Sequence, residues 1–397
     1  MNILQIGTID NAGGAARVSW NLKTSLEKKG HTTSMFVAWK YSKDENVFSI
    51  PRYPQQERIS KIFANDIDLY ATDYILETDA FLNADIVHCH NLHGYYFNLG
   101  TLVKMAKKKP VVWTLHDMWA ITPHCAHAFD GALRDGFFTC PSIDIYPQIY
   151  WNNAGYLKKR KASLYRTLGV HLAVPSRWLK EKVSKSILHD KPASLIYNGI
   201  DTDIFVRKEK SDARKELELP ARKKIILFLA SGGKNDPKKG WRYAEEAMRY
   251  YEHDPDILFL CIGGSEEDRA GSNEHIRFIP RVDHDEMLAS YYSASDVFLF
   301  TSVAENFPLV VLEAMSCGLP IVSFDVGGVK EAVLHKENGF IAPYQKIEDL
   351  MEGIHYVLGL STHERETMAA ASFKRVRNYF TLDRMVDEYL ALYSSLL

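Results

Sequence analysis

Short apolar runs alternating with amphipathic stretches, in two successive series, constrain this chain more than any other feature. In the first series Asn2–Ile6, Thr33–Ala38, Asp85–His88, Val111–Leu115 and Leu172–Val174 read as strands. Ala15–Lys29 reads as a helix closed by Gly30, and Pro175-Ser176 opens another. In the second series the strands are Lys224–Ala230, Ile257–Cys261, Ile276–Phe278, Val297–Phe300 and Ile321–Phe324. The helices between them are Gly240–Tyr251, Glu286–Ser293 and Leu309–Ser316. A strand followed by a helix must cross over before pairing again, which makes the sheet parallel and covers both its faces. The expected fold is therefore α/β, with two tandem Rossmann-like, doubly wound parallel-sheet domains facing a cleft. Turn residues in Tyr197-Asn-Gly-Ile-Asp201 put the junction between 194 and 205. The expected units are 1–196, 197–371 and a terminal helix, 372–397, packing back on the first domain. Ligands of such sheets bind at the carboxyl ends of the strands.

A chain of 397 residues with 46% apolar content can bury a core without metal or disulfide staples. Its net charge of −2 gives no reason to expect nucleic acid as a partner. That total conceals a split, with +7 over residues 1–196 and −9 over the rest. Five scattered cysteines (Cys89, Cys125, Cys140, Cys261, Cys317) suggest a reducing compartment rather than a disulfide framework. No signal-peptide pattern opens the chain, and no apolar run approaches the ~18–20 residues of a membrane span. The expectation is a cytoplasmic protein, peripheral at most to the inner face of a membrane.

The most specific string is Glu305-Asn-Phe-Pro-Leu-Val-Val-Leu-Glu313, directly after a strand. Pro308 suits the first helical position, leaving the Leu309 and Val310 amides at a helix start, where an anion can bind. On one helix, two carboxylates eight residues apart are separated by roughly 12 Å. Glycosidase carboxylates lie about 5–9.5 Å apart. Glu305 and Glu313 are thus better suited to gripping two ends of a long ligand than to flanking one bond.

This string, with Cys317-Gly-Leu-Pro-Ile-Val-Ser323, Val326-Gly-Gly-Val-Lys-Glu331 and Asn338-Gly-Phe-Ile-Ala-Pro343, resembles the donor site of the family-4 glycosyltransferases. These are retaining enzymes of the GT-B fold. The resemblance extends to Gly13-Gly14, the histidine-rich strand ends and the Tyr-Asn-Gly-Ile-Asp linker. It implies that Glu313 holds the ribose of a nucleotide diphosphate sugar. Glu305, Asn306, Phe307 and Pro308 would hold the transferred sugar, and the Leu309 and Val310 amides the diphosphate. Lys239 matches the family lysine that neutralises the leaving diphosphate, where charge develops in the transition state. The arginine usual six residues earlier is Gly233 here, with Lys234 beside it as a substitute, although an ammonium does not reproduce a guanidinium fork. The base pocket would lie near Arg281 and Val282.

Gly13 and Gly14 follow the first strand and open a helix, where the lack of a Cβ lets a ligand approach the backbone. The pattern Gly-x-Gly-x-x-Gly is absent, which argues against a dinucleotide oxidoreductase. His116, in Thr114-Leu-His-Asp117, ends a strand, and the resemblance gives it a sugar contact. His88, His90 and His93 end another and look like the acceptor-side loop. Their spacing is not a zinc spacing. His124, Cys125, His127 and Cys140 offer ligand types for a structural metal or form an ordinary acceptor loop. Lys158–Lys161 is a basic run that suits either solvent or an anionic membrane.

The resemblance implies transfer of a hexose-type sugar to a saccharide or lipid-linked saccharide in bacterial surface-polysaccharide synthesis, with no cofactor and no metal. The alternatives are a nucleotide-sugar epimerase on the same fold and a non-catalytic nucleotide-sugar-binding module.

Overall fold

The computed structural model describes the chain except residues 54, 130, 230–235 and 264–270. Lys234, Gly233, Ala230 and Gly264 lie outside the described residues. The chain forms two compact units, Met1–Asn198 with Asp383–Leu397, and Gly199–Leu382.

The first unit holds strands β1 (Asn2–Ile9), β2 (Thr32–Trp39), β3 (Val47–Ser49), β4 (Ile86–Cys89), β5 (Val111–Thr114), β8 (His171–Val174) and β9 (Ala193–Leu195), with a small hairpin of β6 (Leu133–Arg134) and β7 (Phe137–Phe138). The main sheet is parallel, in the order β3-β2-β1-β4-β5-β8-β9. Winding reverses between β1 and β4, where Gln5 pairs with His88 and Ile6 with Cys89. The carboxyl ends of those two strands form the switch point at which ligands bind such sheets. Helix α1 (Gly14–Lys28) returns the chain from β1 to β2. It ends as the sequence suggests: Gly30 at φ +85° donates to the Glu27 carbonyl, and His31 to Leu26, which closes the last turn. Ser176 caps the helix Arg177–Ser184 by accepting from the Leu179 amide at 3.0 Å.

The second unit holds β10 (Lys224–Leu229), β11 (Ile257–Ile262), β12 (Ile276–Ile279), β13 (Val297–Phe300), β14 (Ile321–Phe324) and β15 (Gly339–Ala342). They form a parallel sheet ordered β12-β11-β10-β13-β14-β15, with its switch point between β10 and β13. All six residues of β11 are buried, as expected of a strand covered on both faces. The edge strands β3 and β9, three residues each, carry too little periodicity to be read from sequence, and β15 shows there only as part of the Asn338–Pro343 motif.

Two expectations are corrected. The terminal helix expected over 372–397 is two helices, Thr362–Tyr379 and Leu382–Leu396, and the chain returns to the first unit after Leu382. The break occurs because Ile200 takes the backbone groups that a continuous helix would use. Its amide donates to the Phe380 carbonyl, and its carbonyl accepts from Leu382. Second, Cys125 and Cys140 form a disulfide, while Cys89, Cys261 and Cys317 are buried free thiols. The β6–β7 hairpin folds the intervening loop back, so that the two Cα atoms stand 5.8 Å apart, within bridging range. Sequence separation alone carries no such information. No helix among the described residues is long and apolar enough to cross a membrane.

Candidate active site

In the second unit, the turn 236–240 that follows β10 meets the residues leaving β13 at the switch point. Asp236 opens a single helical turn, Pro237–Lys239, by accepting from the Lys238 amide at 3.0 Å. Gly240 then takes a left-handed conformation at φ +62°, and a Cβ there would stand 2.1 Å from the Thr301 carbonyl oxygen. Thr301 Oγ1 donates to the Lys239 carbonyl at 2.8 Å, and the Val303 amide donates to that of Lys238 at 2.7 Å. The turn carrying Lys239 is thereby stitched to the exit of β13. The result is an ion pair, Lys239 Nζ to Glu305 Oε1, at 2.8 Å. The Glu305 carboxylate raises the Lys239 pKa above its usual value, so the ammonium stays charged.

Glu305 is set from a second side. Gly327, at φ +53°, packs so close that a Cβ would stand 2.1 Å from the Glu305 carbonyl oxygen, and the Gly328 amide donates to the Asn306 carbonyl at 2.7 Å. Phe307 is buried against Phe380, with ring centroids 5.3 Å apart. Pro308 is the cap residue, at ψ 128°, not the first helical residue, because its extended ψ delays the helix to Leu309. Pro308 makes no side-chain cap hydrogen bond, which leaves the Leu309 and Val310 amides at a helix start suited to an anion.

The 12 Å separation expected for the two glutamates rests on a single helix and does not apply, since Glu305 precedes the helix Leu309–Ser316. Glu313 lies inside that helix, 1% exposed, where Oε2 accepts from the Tyr292 hydroxyl at 3.1 Å. Arg281 and Val282 follow the edge strand β12, two strands from β10. The Arg281 guanidinium is exposed and bound to Asp283 at 2.8 Å.

In the first unit, Gly13 and Gly14 end the loop after β1. Gly13 requires glycine, at φ +92°. A Cβ at either position would meet nothing within 4 Å, so no packing demand explains Gly14. The ends of β4 and β5 carry the histidines. His88 is fully buried between the Tyr393 hydroxyl (2.6 Å) and Thr114 Oγ1 (2.7 Å), and Thr114 also meets the Tyr389 hydroxyl at 2.8 Å. It is a packing histidine that fastens the last helix to the sheet. His90 Nδ1 lies 3.0 Å from His116 Nε2. His93 Nε2 lies 2.7 Å from Asp117 Oδ2, and Asp117 Oδ1 accepts from the Trp119 amide at 2.9 Å. Burial lowers the His116 pKa to about 4 and that of His88 to about 3. Burial also works to raise Asp117, but His93 and the Trp119 amide outweigh it and bring Asp117 down to about 2. Near neutral pH the site therefore presents a neutral His116 beside an ionised Asp117.

His124 bonds the Pro147 carbonyl, and its cysteine neighbours are oxidised, which removes the thiolates a metal would need. Among the described residues, no group of three or more His, Cys, Asp or Glu side chains is placed to hold a metal ion. The basic run Lys158–Lys161 is not a free cationic face. Lys161 is fully buried, donating to the Trp119 and Thr122 carbonyls, while Lys158 and Arg160 are paired with Asp135 and Asp68. The Tyr389 and Tyr393 contacts had no sequence signal, lying some 300 residues from their partners. Gly240 and Gly327 left only the weak signal of a glycine beside a motif.

The neutral histidines, His88 fully buried and His116 partly so, predict acid sensitivity. An unfolded chain binds protons at these sites below about pH 6.5, whereas the folded chain does so only near pH 3–4. Stability contributed by His116 and His88 is thus complete above pH 6.5 and lost as pH falls toward 4, by roughly 2 kcal/mol for His116 at pH 5. The Tm should fall clearly between pH 7 and 5, and a flat Tm over that interval would contradict the buried network.

Residues 209–375 match the family described as glycosyl transferases group 1, and residues 12–204 match glycosyltransferase family 4. Among curated relatives, a putative colanic acid biosynthesis glycosyl transferase, WcaC, of Escherichia coli is 26% identical, with all of both chains covered. A D-inositol 3-phosphate glycosyltransferase of Mycobacteroides abscessus is also 26% identical, over 90% of this chain and 79% of the relative. Among solved structures, sucrose-phosphate synthase from Thermosynechococcus elongatus superposes with a TM-score of 0.71 at 19% identity, covering 99% of this chain and 98% of the other. Anabaena HepE in complex with UDP superposes with a TM-score of 0.69 at 17% identity, covering all of both chains. With matches to the two halves spanning most of its length, and with two parallel sheets each wound about a switch point, the chain belongs to the family-4 glycosyltransferases of the GT-B fold.

Proposed function

We propose that this glycosyltransferase moves a hexose-type sugar from a nucleotide diphosphate to a saccharide or lipid-linked saccharide, with retention at the anomeric carbon, in the building of a surface polysaccharide. The observation that carries this reading is the Lys239–Glu305 pair set beside the uncapped start of the helix Leu309–Ser316. In this reading the Leu309 and Val310 amides and the Lys239 ammonium serve one anion, and the Glu305 carboxylate takes hydroxyl groups. The HepE structure with bound UDP-glucose and the colanic acid relative support the donor and product classes.

In the proposed chemistry, the bond from the anomeric carbon to the diphosphate oxygen breaks, and the acceptor oxygen bonds to the same face. The departing diphosphate takes the acceptor proton. Lys239 and the Leu309 and Val310 amides stabilise the growing charge on the diphosphate. Glu305 and Asn306 orient the sugar, and Glu313 holds the ribose. Lys234 supplies a second phosphate contact. Arg281 and Val282 border the base, and Gly13 and Gly14 leave room for the ligand backbone approach. No metal or other cofactor enters.

Incubation with a panel of nucleotide sugars tests this. Slow nucleotide release from one donor, undiminished by a chelator, is expected. An isomerised donor would instead identify an epimerase, binding without turnover a non-catalytic module, and loss of activity in chelator a metal requirement. Glu313→Gln should weaken donor binding at least tenfold by calorimetry, because a buried carboxylate is a much stronger acceptor for hydroxyls than an amide. Unchanged affinity would remove Glu313 from the ribose.

A further inference from the structure

The amino ends of the second sheet carry a charge pattern opposite to that of the half they belong to. Residues 197–397 sum to −9, yet a cavity of about 370 Å³ in this half is lined, among the described residues, by seven lysines and arginines against three carboxylates. Of its walls, Lys224 opens β10, Asp296 immediately precedes β13 and Pro320 immediately precedes β14. The cavity therefore lies at the end of the sheet opposite to Lys239 and Glu305, within the same unit. Its volume is in the range of small-molecule sites and too small for a polymer.

The three carboxylates do not balance the cations. Buried Asp296 serves three of them. Lys210 Nζ at 2.8 Å and Arg365 Nη1 at 3.6 Å share its Oδ1, and Arg214 Nη2 binds Oδ2 at 2.8 Å. Burial works to raise the Asp296 pKa, but Lys210, the Ile225 amide and Arg214 bring it below its usual value, so it stays ionised. Glu366 is taken by Arg207 in a two-pronged pair at 2.6–2.7 Å, and Glu209 acts on Arg207 at longer range. Lys223 and Lys224 donate to neutral carbonyls, those of Glu274 and Leu358, each at 2.9 Å, and form no ion pair among the described residues. Arg222 is exposed and has no hydrogen bond or ion pair among the described residues. Like charges gathered around a partly enclosed space repel one another, and an anion placed among them removes that cost. A phosphate ester carries nearly two negative charges near neutral pH and several acceptor oxygens. We propose that this cavity is a second anion site, which takes a small phosphorylated ligand on Arg222, Lys223 and Lys224, with room for a body the size of a sugar.

The cavity also reaches the helix Leu309–Ser316 from its carboxyl end. Gly318, which follows that helix, lies against Arg207, and a Cβ there would stand 3.2 Å from Arg207 Cδ. Tyr292 is a wall of the cavity, and its hydroxyl donates to Glu313 Oε2 at 3.1 Å. The start of the same helix, eight residues or about 12 Å away, is the proposed diphosphate site. An occupant should therefore change donor affinity through Tyr292 and Glu313. This coupling rests on the ribose reading of Glu313, whereas binding of the anion does not.

Calorimetry of the full chain with ribose 5-phosphate needs neither donor nor acceptor, so its failure is distinct from failure of the sugar-transfer reading. At low salt it should show a site that ribose does not occupy and that weakens as sodium chloride is added. Arg222→Ser with Lys223→Ser should weaken this site at least tenfold with little change in Tm, because neither side chain holds a buried partner. Lys239→Ala should leave it unchanged, which separates it from the donor end of the sheet. No binding of ribose 5-phosphate would overturn the proposal, as would binding that Lys239→Ala abolishes or that the Arg222 and Lys223 substitutions leave unaffected. Saturating ribose 5-phosphate should shift, at least threefold, the dissociation constant of the nucleotide sugar that the donor panel identifies, and the shift should shrink in Tyr292→Phe. An unshifted constant would overturn the coupling.

Discussion

Lys239→Ala should lower kcat for nucleotide release by about 10²–10³-fold, the usual cost of losing one preorganised group at a developing charge. The fold should survive, because Lys239 lies in a turn held through backbone bonds to Thr301 and Val303 rather than through its side chain. Before the donor binds, the ammonium faces Glu305 at 2.8 Å, and this attraction keeps it protonated and aimed at the switch point. In the proposed chemistry a diphosphate at the start of the helix Leu309–Ser316 adds a second anionic partner, and its charge grows as the sugar leaves. The loss should therefore fall mainly on kcat and less on donor KM. Lys239→Arg should recover only part of the rate, since a planar fork does not occupy the position of a compact ammonium. If Lys239→Ala kept kcat within threefold of the parent, Lys239 would have no part in the chemistry.

The second large effect is expected at Gly327. Alanine there must adopt a φ of +53°, which costs a non-glycine residue about 1–2 kcal/mol. Its Cβ would also stand 2.1 Å from the Glu305 carbonyl oxygen, so the backbone of one loop has to move. That movement breaks the bond from the Gly328 amide to the Asn306 carbonyl and displaces Glu305 from Lys239. A drop in Tm of several degrees is expected, together with a loss of kcat/KM of at least about 10²-fold, because misplacement by an ångström is costly at a reacting centre. An active Gly327→Ala enzyme with an unchanged Tm would show that the approach of the two loops is not required.

Much of this was legible in the sequence, for local reasons. Strands β13 and β14 and the helix Leu309–Ser316 have the bounds read from their apolar periods and terminators. Burial on both faces produces the uninterrupted apolar runs, and Gly318 and Gly30 mark helix ends through their positive φ. The alternation of strand and helix requires parallel pairing, so the doubly wound architecture follows from one-dimensional order. The candidate residues Lys239, Glu305 and His116 could be named from sequence because each lies in the segment that follows a readable strand, β10, β13 and β5.

What the tertiary structure alone decided are the pairings between distant segments. Lys239 and Glu305 are 66 residues apart, and they meet because β10 and β13 are neighbours across the switch point, a fact of strand order rather than of either sequence. Tyr393 reaches His88 because the chain crosses back to the first unit after Leu382. The Cys125–Cys140 bond depends on the six-residue hairpin Leu133–Phe138, and the outward stripe Ile59, Ile62 and Phe63 at the helix Gln56–Ile62 depends on which side of that helix the rest of the unit covers. Periodicity records that a residue is apolar and which neighbours share its face. It does not record what stands opposite, because that is set by contacts between segments whose separation along the chain carries no information about their distance in space.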